Sequence, residues 1–182
     1  MDELALELAY RYLARRDRTI AEMRSHLSGR GIDASAIETT IEILRDQRYL
    51  DDARFVRLFA QDKRQLEQWG SERIKRTLID RGIDRDLLDA VDEGQAAGSE
   101  LERALELLRA RCPRPPRDRR DRDRALGLLL RRGYAVELAV EALAAFARER
   151  GHEPTSAPIP ALDHPTWTNV GSGAQSGRSG VT

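Results

Sequence analysis

Apolar residues in this 182-residue chain recur at spacings of three and four positions, with polar residues between them. Such spacing places the apolar side chains along one face of an α-helix, so the pattern indicates a series of short amphipathic helices. From Gly151 to Thr182 the period is lost, and Pro, Gly, Ser and Thr predominate. A segment of that composition is typical of disorder. The pattern therefore predicts an all-α fold followed by a disordered C-terminal tail.

A short phrase, Leu-x-x-Arg-Gly followed by Ile or Tyr, occurs three times, with its glycines at positions 31, 82 and 133. The constant separation of 51 residues indicates a repeat architecture. Glycine just past a helix end adopts the left-handed conformation, and the apolar residue after it contacts a leucine of the last turn. The arginine before each glycine lies where a cation complements the helix dipole. We call these segments, residues 27–32, 78–83 and 129–134, the helix stops.

The helix stops and the apolar stripes together predict three units of three helices each. Their expected boundaries are 1–48, 49–95 and 96–150, with the tail at 151–182. The third unit is the most diverged, because Pro113, Pro115 and Pro116 interrupt it and cannot lie inside a helix. We expect these prolines to form a stiff link between the first two helices of that unit.

Capping residues mark the starts of several predicted helices. Thr19 precedes Glu22 at the spacing of a capping box, which begins the second helix of the first unit. In the second unit, either Asp51 or Asp52 is expected to cap the first helix, and Ser71 to cap the second. Helix capping explains the Asp51–Asp52 pair better than a metal site does.

Composition excludes several classes of protein. The net charge is zero, so there is no overall attraction to nucleic acid. The single cysteine, Cys112, rules out an intramolecular disulfide and a multi-cysteine metal site. The N-terminus lacks the features of a signal peptide, and no apolar run approaches the roughly 18 residues of a membrane span. We therefore expect a cytoplasmic protein without a membrane segment.

Residues suited to catalysis are sparse. The three histidines, His26, His152 and His164, are far apart in sequence, and Cys112 has no histidine near it. The chain contains no phosphate-binding glycine loop, no HExxH zinc motif and no G-x-S-x-G nucleophile motif. We therefore expect neither an enzyme nor a cofactor or metal site.

Local excess of basic residues, rather than net charge, suggests a binding surface. From Arg109 to Arg132 there are ten arginines against three aspartates. Such an excess is typical of a phosphate-binding surface. The alternative is a solvent-exposed helix face on which arginines and aspartates pair with one another. Basic residues of the second unit form a possible second patch. The candidate DNA or protein-filament contacts are Arg54, Arg57, Lys63, Arg64, Arg73, Lys75, Arg76, Arg109, Arg111, Arg117, Arg119, Arg120, Arg122, Arg124, Arg131 and Arg132.

Three further stretches resemble one known family. They are Tyr-Leu-Asp-Asp-Ala-Arg-Phe at 49–55, Trp-Gly-Ser-Glu-Arg-Ile at 69–74, and the second helix stop at 78–83. Together they closely resemble the RecX family of recombination regulators, and the third helix stop is similar to that family's last repeat. The resemblance covers about residues 4 to 148. The chain departs from the family at Arg48, where the family usually has glycine. This difference affects only the expected conformation of the local turn.

The resemblance implies three tandem three-helix, helix-turn-helix-like repeats in an elongated, curved array. It implies a monomer that binds in the groove of the RecA–DNA filament, with weak, salt-sensitive contacts to single- and double-stranded DNA. The implied effect is to restrain filament extension, strand exchange, ATP hydrolysis and co-protease activity, and so recombination, DNA repair and the SOS response. Two alternatives are a stand-alone helix-turn-helix DNA-binding protein and an all-helical protein-interaction scaffold.

Overall fold

The computed structural model describes residues 2–92 and 99–149, and every regular element in these ranges is a helix. The elements are α1 (Asp2–Leu13), α2 (Ile20–Ser28), α3 (Ala34–Asp46), α4 (Asp52–Glu67), α5 (Ser71–Asp80), a 3₁₀ helix (Arg85–Val91), α6 (Ser99–Arg111), α7 (Arg119–Arg132) and α8 (Val136–Glu149). The all-α prediction is confirmed. The predicted disordered tail lies outside the described residues.

Each successive set of three helices surrounds its own cluster of buried apolar side chains. The first cluster centres on Met23, Leu27 and Leu44, the second on Val56, Ile74 and Leu78, and the third on Leu108, Leu129 and Phe146, all fully buried. Units of roughly 50 residues bury too little surface to be more than marginally stable alone. Contacts between the units are therefore important for the stability of the chain.

The three helix stops share one hydrogen-bonding pattern. In the first, the N–H of Ile32 donates to Leu27 O at 3.2 Å and the N–H of Gly31 donates to Ser28 O at 2.9 Å. This pair of bonds defines the Schellman motif. The equivalent bonds recur at the second and third stops. The three glycines have φ angles of 77°, 78° and 86°, and the three clasping leucines are fully buried, so the predicted helix ends are confirmed.

A fourth turn of the same kind is formed without glycine. Arg48 follows α3 with a φ of 60°, and the N–H of Tyr49 donates to Leu44 O at 2.8 Å. This is the position where the resemblance leads one to expect glycine. The left-handed turn is therefore kept, at the cost of an unfavourable conformation for a residue with a Cβ atom.

The capping predictions are confirmed in part. Thr19 and Glu22 form the complete capping box of α2, and Asp51 caps α4 by accepting the N–H of Arg54 at 2.8 Å. The prediction for Ser71 is wrong, because Gly70 is the N-cap of α5 and Ser71 is its first helical residue. Gly70 lies so close to a carbonyl of the third unit that any side chain there would overlap it.

The second helix stop packs against the start of α2, and this contact joins the first two units. A methyl group on Gly82 would overlap the Cβ of Ala21. The buried hydroxyl of Thr19 donates to the carbonyl of Arg81 at 2.8 Å. The Arg81 guanidinium donates two hydrogen bonds to the Glu22 carboxylate, at 2.9 and 2.8 Å. Asp52 completes the contact by accepting a backbone N–H from the first turn of α2 at 3.0 Å.

The third helix stop packs against the start of α5 in the same way. The N–H of Gly70 donates to Arg132 O at 2.8 Å, and the N–H of Glu72 donates to Gly133 O at 3.1 Å. A methyl group on Gly133 would overlap the Cβ of Arg73. We call each of these two contacts a joint: the helix stop of one unit meets the N-terminus of the second helix in the preceding unit.

Alanine at each stop glycine should separate backbone strain from overlap between units. All three substitutions force alanine into the left-handed region, at about 1–2 kcal/mol. Gly31→Ala incurs only this cost, because nothing lies within 4 Å of the added methyl group. Gly82→Ala and Gly133→Ala should lose a further ~1–3 kcal/mol through overpacking in a joint. Urea unfolding followed by circular dichroism measures the three losses, and equal losses would contradict the packing role of the second and third glycines.

Arg48→Gly should raise the free energy of unfolding by about 0.5–1 kcal/mol, because glycine removes the strain of the left-handed turn. The gain is reduced by the greater entropy of the unfolded chain. Asp46→Gly is the matched control: Asp46 ends α3 two residues earlier, and glycine there should lower stability. Thermal unfolding of the two variants should shift in opposite directions, and a shift of both to lower temperature would contradict the strain at Arg48.

Glu22→Gln should destabilise the protein at neutral pH by about 1.5–3 kcal/mol, the range for hydrogen bonds to charged groups. Burial raises the pKa of Glu22, but the hydrogen bonds from Arg81 and Thr19 and the charge of Arg81 outweigh it, so the net shift is downward. A lowered pKa means that the carboxylate stabilises the fold above its unfolded pKa, and that this stability is lost as pH falls through the folded pKa. The difference in urea midpoint between wild type and variant should therefore shrink towards acid pH.

Glu38→Gln is the control for this prediction. Glu38 accepts two hydrogen bonds from Arg24 with nearly the same geometry, at 2.7 and 2.8 Å, but on an exposed face within the first unit. Solvent screening should make its loss much smaller. Equal losses of stability in the two variants would show that the Arg81–Glu22 pair stabilises the protein no more than an exposed ion pair does.

Candidate nucleic-acid interface

Several of the predicted basic contacts are engaged within the protein. Lys75 pairs with Asp92 at 2.6 Å. Arg109 lies between two carboxylates, those of Glu149 and Glu102, at 2.6 and 2.8 Å, and their hydrogen bonds raise its pKa. These side chains complete the protein's own ion pairs, so a partner would have to displace an existing carboxylate to reach them.

Two more candidates belong to the second joint. Arg73 donates to Arg131 O at 3.1 Å, and its guanidinium carbon lies 4.0 Å from the ring centroid of Trp69. Arg132 donates to the carbonyl of Glu67. Both arginines therefore hold the second and third units together.

The end of α4 holds two further candidates in internal contacts. Lys63 pairs with Glu67 and lies 4.9 Å from the ring centroid of Trp69. Arg64 is half-buried and donates to Val91 O, and burial lowers its pKa. The second basic patch predicted for this unit is thus reduced in extent, because these two side chains point into contacts of the unit itself.

All but one of the remaining candidates outside the link region are exposed. Arg54 donates to Arg48 O at 3.1 Å, whereas Arg57, Arg76 and Arg120 are exposed and pair with no residue in the described part of the chain. Near the start of α7, Arg119 lies 3.9 Å from an aspartate of the same helix, with 78% of its side chain exposed, and Arg122 is half-buried.

Basic side chains converge at a cavity between the proline link and α7. Its volume is about 580 Å³. The arginines that line it are Arg111, Arg114, Arg117, Arg124 and Arg131. Its lining contains one acidic residue, Asp121, whose carboxylate is 3.6 Å from the exposed Arg124 guanidinium. A lining with five arginines and one aspartate favours an anionic ligand, and guanidinium geometry matches phosphate in particular. We call this cavity the arginine cavity.

Local structure explains why these arginines meet. The prolines predicted to form a stiff link lie between α6 and α7, and Pro113, Pro115 and Pro116 all line the arginine cavity. The chain then enters α7 through Asp118, whose side chain accepts the N–H of Asp121 at 2.8 Å. The cavity therefore collects arginines from the end of α6, the link and one face of α7. Ala125 and Leu128 add an apolar part to its lining.

Arg114 is the one cavity arginine missing from the predicted contacts. It lies between two of the prolines and contributes to the local basic excess. The sequence could not predict that Arg114 faces the cavity, because helical periodicity does not indicate the direction of a side chain between two prolines.

A second cavity differs from the arginine cavity in the charge of its lining residues. It lies near the first joint, has a volume of about 800 Å³, and is lined by four acidic and two basic residues. The acids are Glu42, Asp46, Asp51 and Asp52 and the bases are Arg45 and Arg48. This mixed lining would repel phosphate, so the arginine cavity is the better candidate.

The other side chains considered for chemistry have structural explanations. Burial raises the pKa of the Cys112 thiol, which keeps it protonated at neutral pH and unreactive. Within residues 2–92 and 99–149, no three His, Cys, Asp or Glu side chains are grouped so as to hold a metal ion. No helix in the same ranges is both long and apolar enough to cross a bilayer.

Family comparisons match the first two units. The RecX model described as the first three-helix domain matches residues 5–44, and the model for the second three-helix domain matches residues 51–91. Each matched range contains one of the first two helix stops. Both domains are described as three-helix domains, in agreement with the observed helices.

Relatives and a solved structure extend the match into the third unit. The regulatory protein RecX of Leptothrix cholodnii is 32% identical over 148 residues, which cover 81% of this chain and 92% of the relative. That of Mycobacterium avium is 33% identical over 153 residues, covering 82% and 88%. The crystal structure of RecX from Lactobacillus salivarius has a TM-score of 0.73 at 19% identity, covering 81% of this chain and 97% of that one, which shows the shared fold. The match extends over most of both chains, so this protein belongs to the RecX family of regulatory proteins.

Proposed function

We propose that this protein regulates RecA in the cytoplasm, chiefly as an inhibitor, by binding in the groove of the RecA–DNA filament. There it restrains filament extension, strand exchange, ATP hydrolysis and co-protease activity. Membership of a family of regulatory proteins supports a regulatory role rather than an enzymatic one. Its contacts with DNA lie in the third unit and on the adjoining exposed arginines.

The arginine cavity is the observation that carries the DNA-binding part of this proposal. Its five arginines come from three successive segments, and its volume of about 580 Å³ is large enough for a phosphate and part of its nucleotide. Contacts of this kind depend on charge and release bound counterions, so the affinity should fall steeply with salt. Arg119 and Arg120, exposed at the start of α7, extend the basic surface beyond the cavity.

The repeated joints support a filament as the partner. A helix stop meets the start of the preceding unit's second helix in both joints, so the chain repeats this arrangement of units. Repeat proteins of this kind present extended binding surfaces, and a filament also repeats its own surface. A stand-alone helix-turn-helix protein would instead require one recognition helix in the major groove.

The double variant Arg117→Glu/Arg124→Glu should weaken inhibition of RecA. We expect about tenfold more variant than wild type to be needed for half-inhibition of ATP hydrolysis by RecA on single-stranded DNA. Tenfold corresponds to about 1.4 kcal/mol of lost binding, a modest estimate for two reversed phosphate contacts. Arg85→Glu is the matched control, because Arg85 is exposed at the start of the 3₁₀ helix, far along the chain from the cavity. It should inhibit as wild type does.

Fluorescence anisotropy with a single-stranded oligonucleotide measures the DNA contacts directly. Each phosphate contact that is lost should reduce the slope of log affinity against log salt by about 0.7. A wild-type protein that leaves RecA activity unchanged at equimolar amounts would overturn the regulatory proposal. A double variant that inhibits fully would remove the arginine cavity from the mechanism. Binding to one duplex sequence without RecA would favour the helix-turn-helix alternative.

A further inference from the structure

The last turns of α6 and α8 lie side by side at one end of the third unit. The Arg109 guanidinium of α6 donates two hydrogen bonds to the carboxylate of Glu149, at 2.6 and 3.1 Å. Glu149 is the last residue of α8, and the described part of the chain ends there. Arg111, two residues after Arg109, lines the arginine cavity. The chain therefore leaves α8 beside this cavity.

The cavity carries positive charge that the described residues do not balance. Five arginines and one aspartate line it, and that aspartate, Asp121, lies 3.6 Å from Arg124. Arg111, Arg114 and Arg117 are exposed and pair with no carboxylate in the described part of the chain. Arginine forms bidentate hydrogen bonds with a carboxylate as it does with a phosphate. A carboxylate held close to the cavity would therefore fit the same arginines.

Glu153 is the nearest acid beyond α8, four residues after Glu149. Four residues of extended chain span at most about 14 Å. Arg109 and Arg111, by comparison, are separated by only about 3 Å along the helix axis. The Glu153 side chain is therefore able to reach the edge of the cavity. Asp163, the other acid of the tail, comes ten residues later, so its longer tether gives it a lower effective concentration at the cavity.

We propose that Glu153 of the C-terminal tail occupies the arginine cavity and competes there with the phosphates of nucleic acid. Arg111 and Arg114, which follow the end of α6, receive its carboxylate. The tail is then an autoinhibitory segment: a nucleic acid must displace Glu153 before its phosphates reach the cavity. This inference rests on the proposed function, because it assigns a form of regulation to the same cavity.

The first test measures the affinity of the full-length chain for a single-stranded oligonucleotide by fluorescence anisotropy. Glu153→Gln should tighten binding about threefold, since a tethered carboxylate at millimolar effective concentration would occupy the cavity for about two thirds of the time. Asp163→Asn is the matched control, because it removes the same charge from the tail, and it should bind as wild type does. Unchanged affinity in Glu153→Gln, or equal tightening in both variants, would overturn the proposal.

A disulfide test locates the tail directly, without DNA or RecA. Cys112 lines the cavity and is the single native thiol of the chain. Ser156→Cys places a second thiol three residues after Glu153, and oxidation with diamide at pH 9 should join it to Cys112. Adding Glu153→Gln should slow this reaction about threefold, because the tail loses the contact that holds it in the cavity. Adding Asp163→Asn instead should leave the rate unchanged.

The two readouts separate this inference from the proposed function. Tether length alone would give equal disulfide rates with and without Glu153→Gln, and that result would overturn the tail contact while leaving the phosphate site in place. A rate that falls as expected supports the tail contact even where Arg117→Glu/Arg124→Glu leaves RecA inhibition intact, which would contradict only the role of the cavity in regulating RecA.

Discussion

The close approach of a glycine-containing helix stop to the N-terminus of a neighbouring helix is the contact on which the arrangement of the three units depends. Gly82 and Gly133 lack side chains at positions where a methyl group would meet the preceding unit. Their conformation ends a helix, and the missing Cβ admits the neighbour, so one residue satisfies two requirements. The backbone carbonyls exposed by the ending helix then accept hydrogen bonds from donors at the start of the second helix in the preceding unit. Small hydrophobic clusters of marginal stability thereby become one connected chain of units.

Much of the fold follows from local sequence signals. The Leu-to-Gly spacing predicts the three helix stops, and Thr19 with Glu22 predicts the capping box, because both depend on atoms only a few residues apart. The joints escape such reasoning, since Thr19 and Arg81 meet only when two units pack. One signal was present: Thr19 and Gly70 are separated by the same 51 residues as the stops. Ser71 shows the limit of residue preference, because the close approach of two backbones decides in favour of glycine at the cap.

The binding surface is predictable in region but not in detail. The local arginine excess indicates the third unit, and the arginine cavity lies there. Which arginines are available depends on partners elsewhere in the chain. Arg73 and Arg132 serve the second joint, and Arg109 is held by two carboxylates. A count of charges in the sequence cannot distinguish the arginines that connect units from those that remain exposed to solvent.

The arginine cavity holds several positive charges close together by means of a proline-stiffened link. On the proposed function, a phosphate bound there would offset the charge of these arginines. Ligand and local stability are then linked, since anything that binds only the folded form stabilises it. A phosphate bound there would thus also stabilise the link between α6 and α7.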